Sequence, residues 1–355
     1  MNIPKLRIGN ITADVPIVQG AMGVRISLSS LASAVANAGG IGTIASVGLG
    51  DIEKAKTEYE RISREALIAE IRKAKSLTNG PLAVNVMGVL SNADDLIRTS
   101  VLEGIKIIVS GASLPLKLPA LVEDRSVSLV PIISSGRAAE LVLRAWDKRY
   151  MRTADGIVLE GPLAGGHLGF SMDQLKQLEQ HSLPILLADV LEAIKPYENK
   201  YGRKIPVIAG GGVYDGKDIA EILLAGASGV QMATRFVCTV ECDVTQEFKQ
   251  AYLDAKKEDI VIIKSPVGLP GRAIRNKFIK DLEVQGKQVI KCPYRCLTTC
   301  NVAEAKYCIA LALVNACYGK IDQGLVFCGE NAYRCDKIVT VRELISELMA
   351  ELEAY

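Results

Sequence analysis

Short runs of Val, Ile and Leu alternate along the chain with longer stretches whose apolar residues recur every three or four positions. The first pattern reads as buried strands and the second as helices with one apolar face. Eight such runs occur: Val15–Gln19, Ile41–Ser46, Leu82–Met87, Ile105–Ser110, Leu129–Ser134, Gly156–Glu160, Ile205–Ala209 and Gly229–Ala233. Strands that are apolar on both faces and separated by helices predict a parallel sheet, and eight of them predict a (β/α)8 TIM barrel. Caps place the helices. Ser27 or Ser29 starts one that carries Leu28, Leu31, Ala32 and Val35 and stops at Gly39-Gly40. Others run from Thr57 to Lys75, from Asn92 to Gly104 and from Asp215 to Gly226.

The link between the sixth and seventh runs, Gly161 to Lys204, is longer than one helix requires. It reads as two helical stretches, Ser171–Gln180 and Ala188–Tyr201, divided by Pro184, either looping over one end of the barrel or buttressing its outside. Beyond Phe236 the repeat stops. Glu247–Ala255 and Ala303–Cys317 read as helices, Ile260–Ile263 as a short strand and Ser265–Gly271 as irregular backbone. Thr340 and Glu343 form a capping box for a last helix. The expected organisation is a barrel over residues 1–240 and a helical, cysteine-rich C-terminal extension over 241–355 that packs back on it, with its cysteines in 292–335.

Composition narrows the class. With 355 residues, 49% hydrophobic and 23% charged, the chain can bury a large core and is not a disordered sequence. Lys and Arg outnumber Asp and Glu by two, without a basic run, so no nucleic-acid partner is implied. No apolar run is long enough for a membrane span, and the N-terminus has no signal-peptide core, which together predict a cytoplasmic protein.

In such a barrel the chemistry lies at the C-terminal ends of the strands. The sixth run ends in Glu160 and a turn, Gly161-Pro162-Leu163-Ala164-Gly165-Gly166, that delivers His167, one of two histidines in the chain. Glycine turns let backbone N–H groups approach a phosphate closely, and histidine can move a proton near neutral pH. A loop bearing an incidental surface histidine is the plainer reading. Gly210-Gly211-Gly212 after the seventh run and Gln231-Met232-Ala233-Thr234 at the eighth match the phosphate site that barrels build late in the repeat. Gln19, Asn85, Glu160 and Gln231 add polar tips for the edge of a heterocycle; Asn85 alone reads equally well as a strand-end cap. Neither a dinucleotide fingerprint nor a serine nucleophile elbow is present.

These motifs, in this order, resemble the nitronate monooxygenase (2-nitropropane dioxygenase) family, FMN-dependent barrels that include flavin-dependent enoyl-ACP reductases. The resemblance covers about residues 1–280. It implies FMN, no metal in the barrel and NAD(P)H as an open choice of electron donor. It implies that Ala21, Met22, Gly23, Asn85, Glu160, Gly165, Gly166, Gly211, Gly212, Gln231, Met232, Ala233 and Thr234 bind the cofactor and that His167 is the catalytic base. The activity implied is oxidation of nitronates or nitroalkanes with oxygen. An NAD(P)H-dependent enoyl-thioester or quinone reductase is the alternative on the same scaffold, and a non-redox barrel for phosphosugars is the alternative of another class. Glu160 where the monooxygenases commonly have Gln, Leu163 where they have Glu, and Ala233 where glycine is usual depart from the family pattern. The implied partner is a small-molecule substrate, with a homodimer left open.

Of nine cysteines, Cys292, Cys296, Cys300 and Cys308 fall at intervals of four, four and eight. They are candidate ligands for zinc or an iron–sulfur cluster, although the spacing is neither that of a paired zinc ribbon nor that of a ferredoxin, and free cytosolic thiols are the plainer reading.

Overall fold

The computed structural model describes residues 3–51, 58–288, 290, 292 and 295–355. Eight parallel strands form the central sheet: β1 (Ile17–Gln19), β2 (Gly42–Ala45), β3 (Leu82–Met87), β4 (Ile107–Gly111), β5 (Ser128–Ile133), β6 (Ile157–Glu160), β7 (Val207–Gly210) and β8 (Gly229–Met232). Each pairs with the next, β8 pairs with β1, and a bridge between Val18 and Ile41 closes the circle. The Gln19 N–H donates to Ile41 O at 2.9 Å across that seam. The fold is the TIM barrel that the alternating pattern predicts.

Period-two alternation sorts the strand side chains. Val18, Ile41, Ala83, Ile107, Val109, Val130, Val158 and Ile208 pack together with Leu6, Ile8 and Ala13 of an N-terminal hairpin (Leu6–Ile8 with Ile11–Ala13). That hairpin plugs the end where the strands begin: a methyl added at Gly156 would meet Ile8, and one at Gly229 would meet Leu6. Outward-facing Ile44, Val84, Ile108, Leu129, Ile157 and Val207 pack against the helices. With its bottom plugged, the barrel opens only at the C-terminal end of its strands.

Several local expectations are corrected. Ser27 does not cap the first helix, Ser29–Asn37; its hydroxyl accepts from Gln19 Nε2 at 2.9 Å and from Met22 N–H at 3.0 Å. Nor does Ser29, whose buried hydroxyl has no partner among the described residues. Pro184 divides nothing: it lies in the first turn of one helix, Leu183–Tyr201, where a missing N–H costs no bond. Thr57, the expected start of the second helix, lies outside the described residues, and that helix runs over Tyr59–Leu77. The C-terminal helical expectation shrinks to Ile309–Cys317. Ser265–Gly271 is not wholly irregular. Ile260–Lys264 and Pro270–Ile274 form a hairpin, so two of its residues are strand and only the turn is free of pairing.

Asp215 starts its helix as read, through a capping box with Asp218 that the sequence reading did not include, and the capping box at Thr340 forms as read. The second opens the last helix, Val341–Ala354, which lies beside Gly216–Leu224 with Leu344, Leu348 and Leu352 fully buried. Among the described residues, no helix is long and apolar enough to cross a membrane.

Candidate active site

Strand β6 hands the chain directly to the site. After Glu160, Gly161 N–H donates to Gly210 O at 2.8 Å and Ala164 N–H returns to Gly161 O at 3.1 Å, which closes a tight turn. Gly166–His167 then adds as a third strand to the 260–274 hairpin, pairing with Arg272 and Gly271 over the barrel mouth. The link from β6 thus does both things open at the sequence level: its first part crosses the mouth, and the helix Leu183–Tyr201 packs in the outer ring against Gly136–Tyr150. Arg272, 3% exposed, holds the turn from beneath. One guanidinium nitrogen donates to Pro162 O at 2.8 Å and Ala164 O at 2.6 Å, and Nε pairs with Glu330 at 2.8 Å.

His167 Nε2 lies 2.8 Å from Ser265 Oγ, which also accepts the Val267 N–H at 3.3 Å. The serine hydrogen can therefore point at Nε2. The Phe327 ring stands edge-on to the imidazole with centroids 5.0 Å apart. Burial pushes the histidine down to about 4, so the ring is neutral at pH 7.

His167 opens onto a cavity of about 500 Å³ at the C-terminal strand ends. The same cavity is lined by Ala21, Met22, Gly23, Asn85, Glu160, Gly165, Gly166, Gly211, Gly212, Gln231, Met232, Ala233 and Thr234. The structure thus gathers His167 and every residue that the resemblance assigns to the cofactor around one space. Glu160 accepts a single bond, from Gln231 Nε2 at 3.3 Å, and burial raises its carboxyl to about 7. The Asn85 amide, on the same wall, has no side-chain partner among the described residues. Gly211 and Gly212 have φ of +104° and +97°, and a Cβ at Gly211 would fall 2.9 Å from Gly161 O. Only glycine allows the seventh-strand turn to press against the sixth.

Other candidates fall elsewhere. Gln19 is fully buried and satisfied internally, its amide donating to Gly20 O at 2.6 Å and Ser27 and its oxygen accepting Thr43 N–H at 3.0 Å; it fixes the barrel seam and offers nothing to a ligand. Arg235, next to Thr234, pairs with Glu347 at 2.7 Å and stacks on Tyr214. Arg275 pairs with Glu283 on the surface. His181 is half-buried beside Phe170, not fully solvated.

The opposite wall was not legible in the sequence. Val267, Leu269, Ile309, Leu313 and Phe327, all from beyond the barrel repeat, cover the mouth with apolar surface. Among the described residues, no Lys or Arg lines the cavity. The Gly/Pro-rich stretch around Val267 was the one available signal, since such a loop can be held over a site. Cys292, Cys300 and Cys308 line a second, smaller cavity, and Cys296 lines both.

A closed barrel with a polar rim, a covered mouth and a buried histidine is the architecture of an enzyme working at its C-terminal strand ends. The nitronate monooxygenase family model matches residues 5–100 and 94–351, and the chain belongs to that family. The match continues through the cysteine-bearing tail, beyond residue 280 where the sequence resemblance stopped.

Among similar proteins is a (3aS,4S,5R,7aS)-5-hydroxy-7a-methyl-1-oxo-octahydro-1H-indene-4-carboxyl-CoA dehydrogenase of Mycobacterium tuberculosis. It is 31% identical over 76% of this chain, and the match spans 65% of the relative's own length. FabK from Thermotoga maritima has a similar structure, with TM-score 0.74 and 27% identity over 96% of this chain and 94% of that one. A nitroalkane oxidase from Streptomyces ansochromogenes shares the fold, with TM-score 0.75 and 22% identity over 96% of both chains. Membership places the chain among oxidoreductases.

Proposed function

We propose that this chain is an FMN-dependent oxidoreductase that reduces a neutral, largely apolar acyl substrate of the α,β-unsaturated thioester type. The observation that carries the reading is the cavity itself, a polar glycine-lined rim facing an apolar wall that holds no cation among the described residues, with neutral His167 between them. Its volume falls within the roughly 300–1,000 Å³ usual for small-molecule sites. The residues present fit FMN. Gly165, Gly166, Gly211, Gly212, Ala233 and Thr234 would hold the phosphate through backbone N–H groups and a hydroxyl. Ala21, Met22, Gly23, Asn85, Glu160, Gln231 and Met232 would meet the ring system, where the Asn85 amide and the second Glu160 oxygen have bonding capacity to spare. Bound FMN supplies two-electron transfer, and the protein supplies position.

The apolar wall excludes water and seats the acyl chain. His167 holds a proton balance at Nε2, shared with Ser265, beside the reacting carbon. Electrons would come from NADH or NADPH. Among the described residues an anionic substrate meets no cationic partner on this wall, which disfavours a nitronate as the first choice.

Oxidation of a nitroalkane with oxygen is the second reading. The free-base imidazole favours it, because a neutral His167 could take the proton from the nitroalkane carbon. The deciding experiment reduces FMN-loaded protein anaerobically with NADH or NADPH and then adds crotonyl thioester. Re-oxidation of the flavin by the thioester supports the first reading. Re-oxidation only by oxygen, with turnover of nitroalkane, transfers the function to the second. Protein that takes up no flavin but binds a phosphosugar rejects both.

A further inference from the structure

The flavin reading leaves four thiols without a role. Cys292, Cys296, Cys300 and Cys308 surround one cavity of about 280 Å³, otherwise walled largely by apolar side chains such as Leu297 and Ile309. Their loop is anchored to the segment after β3: Leu297 bridges Leu90, Ser91 N–H donates to Cys296 O at 3.1 Å, and Thr298 N–H donates to Val89 O at 2.9 Å. Cys308 precedes the helix Ile309–Cys317, and its sulfur faces the N–H groups of Ala310 and Leu311 in that helix's first turn.

Two further groups point into an anionic, multi-acceptor occupant. Tyr307, 3% exposed and lining the same cavity, buries a hydroxyl with no hydrogen-bond partner among the described residues. Arg295 brings a guanidinium to the lining. Among the described residues, no three Cys, His, Asp or Glu side chains converge as a single metal ion requires. A zinc ion draws its thiolates to about 2.3 Å from one centre, whereas a four-iron cluster keeps them apart around a body of its own size. Thiols spaced around a cavity fit the second.

We propose that these four cysteines bind a four-iron, four-sulfide cluster. Its wall is shared with the active-site cavity, because Cys296, Leu297, Ile309 and Ala310 line both. The site is independent of the flavin assignment, since Cys292, Cys300 and Cys308 do not line the larger cavity.

The test uses the full chain reconstituted anaerobically with ferrous iron and sulfide, desalted, and analysed for iron, acid-labile sulfide, zinc and FMN. About four irons and about four sulfides per chain are expected, with a paramagnetic signal after dithionite reduction. Cys292→Ser and Cys300→Ser should each lose at least about half of that iron, while Cys317→Ala keeps it and all variants keep their FMN content. Fewer than about one iron per chain in the unaltered protein, a stoichiometric zinc in place of iron, or serine variants with full iron would overturn the proposal.

Discussion

The two walls of the active-site cavity are built in different ways. The rim comes from the barrel, one strand tip at a time, each tip placed by the hydrogen-bond ladder that closes the sheet. The cover comes from the tail and is held by a few long-range contacts: Ser265 on His167, Phe327 against the imidazole, and Arg272 under the turn. The rim presents amides, hydroxyls and a carboxyl, while the cover presents hydrocarbon. On the proposed reading a polar cofactor would take the first and an apolar substrate the second, with His167 on the strand that stitches the two walls together.

Substitutions that separate the walls sharpen the comparison, and the largest effect falls at the stitch. His167→Ala should lower turnover by about 10²–10⁴-fold while leaving bound FMN unchanged. Steady-state rates and flavin absorbance of one preparation check this, and loss of FMN with the histidine would break the division between walls. Next comes the buttress. Arg272→Ala leaves Glu330 half-buried and two turn carbonyls unpaired, and denaturant unfolding should show a loss of about 3–5 kcal/mol.

The rim carboxyl comes third. Glu160 is raised from 4.5 to about 7 in the folded chain, so between those values the folded state holds the extra proton. Stability therefore falls as pH rises through that window, by on the order of 1–3 kcal/mol, less than the full shift because the carboxyl is partly open to the cavity. Glu160→Gln should remove that slope, seen by comparing unfolding at pH 5 and pH 8. Smallest is Thr340→Ala, which removes a helix cap remote from the cavity and should cost about 1 kcal/mol without changing turnover.

The same contrast explains what could be read from the residues alone. All eight strands and the strand-tip site were legible, because period, glycine turns and strand ends are local signals and the barrel converts them into one mouth. Local chemistry with a nonlocal destination was not. Ser27 looks like a helix cap but serves the Gln19 seam, and Pro184 looks like a break but starts a helix. The partner of His167 lies 98 residues away in a Gly/Pro stretch whose second strand, Pro270–Ile274, is visible only once paired with Ile260–Lys264 and Gly166–His167. Arg272 likewise carries no sequence mark of the carbonyls it meets.

The most direct measurement of the central claim is anaerobic FMN titration of the purified chain and of its Gly211→Val variant, followed by absorbance and by flavin retained after gel filtration. A rim that grips the phosphate predicts about one FMN per unaltered chain, with retention lost when a side chain is forced between the sixth- and seventh-strand turns. No retained flavin in the unaltered chain, or equal retention in a variant that is still folded, would contradict it.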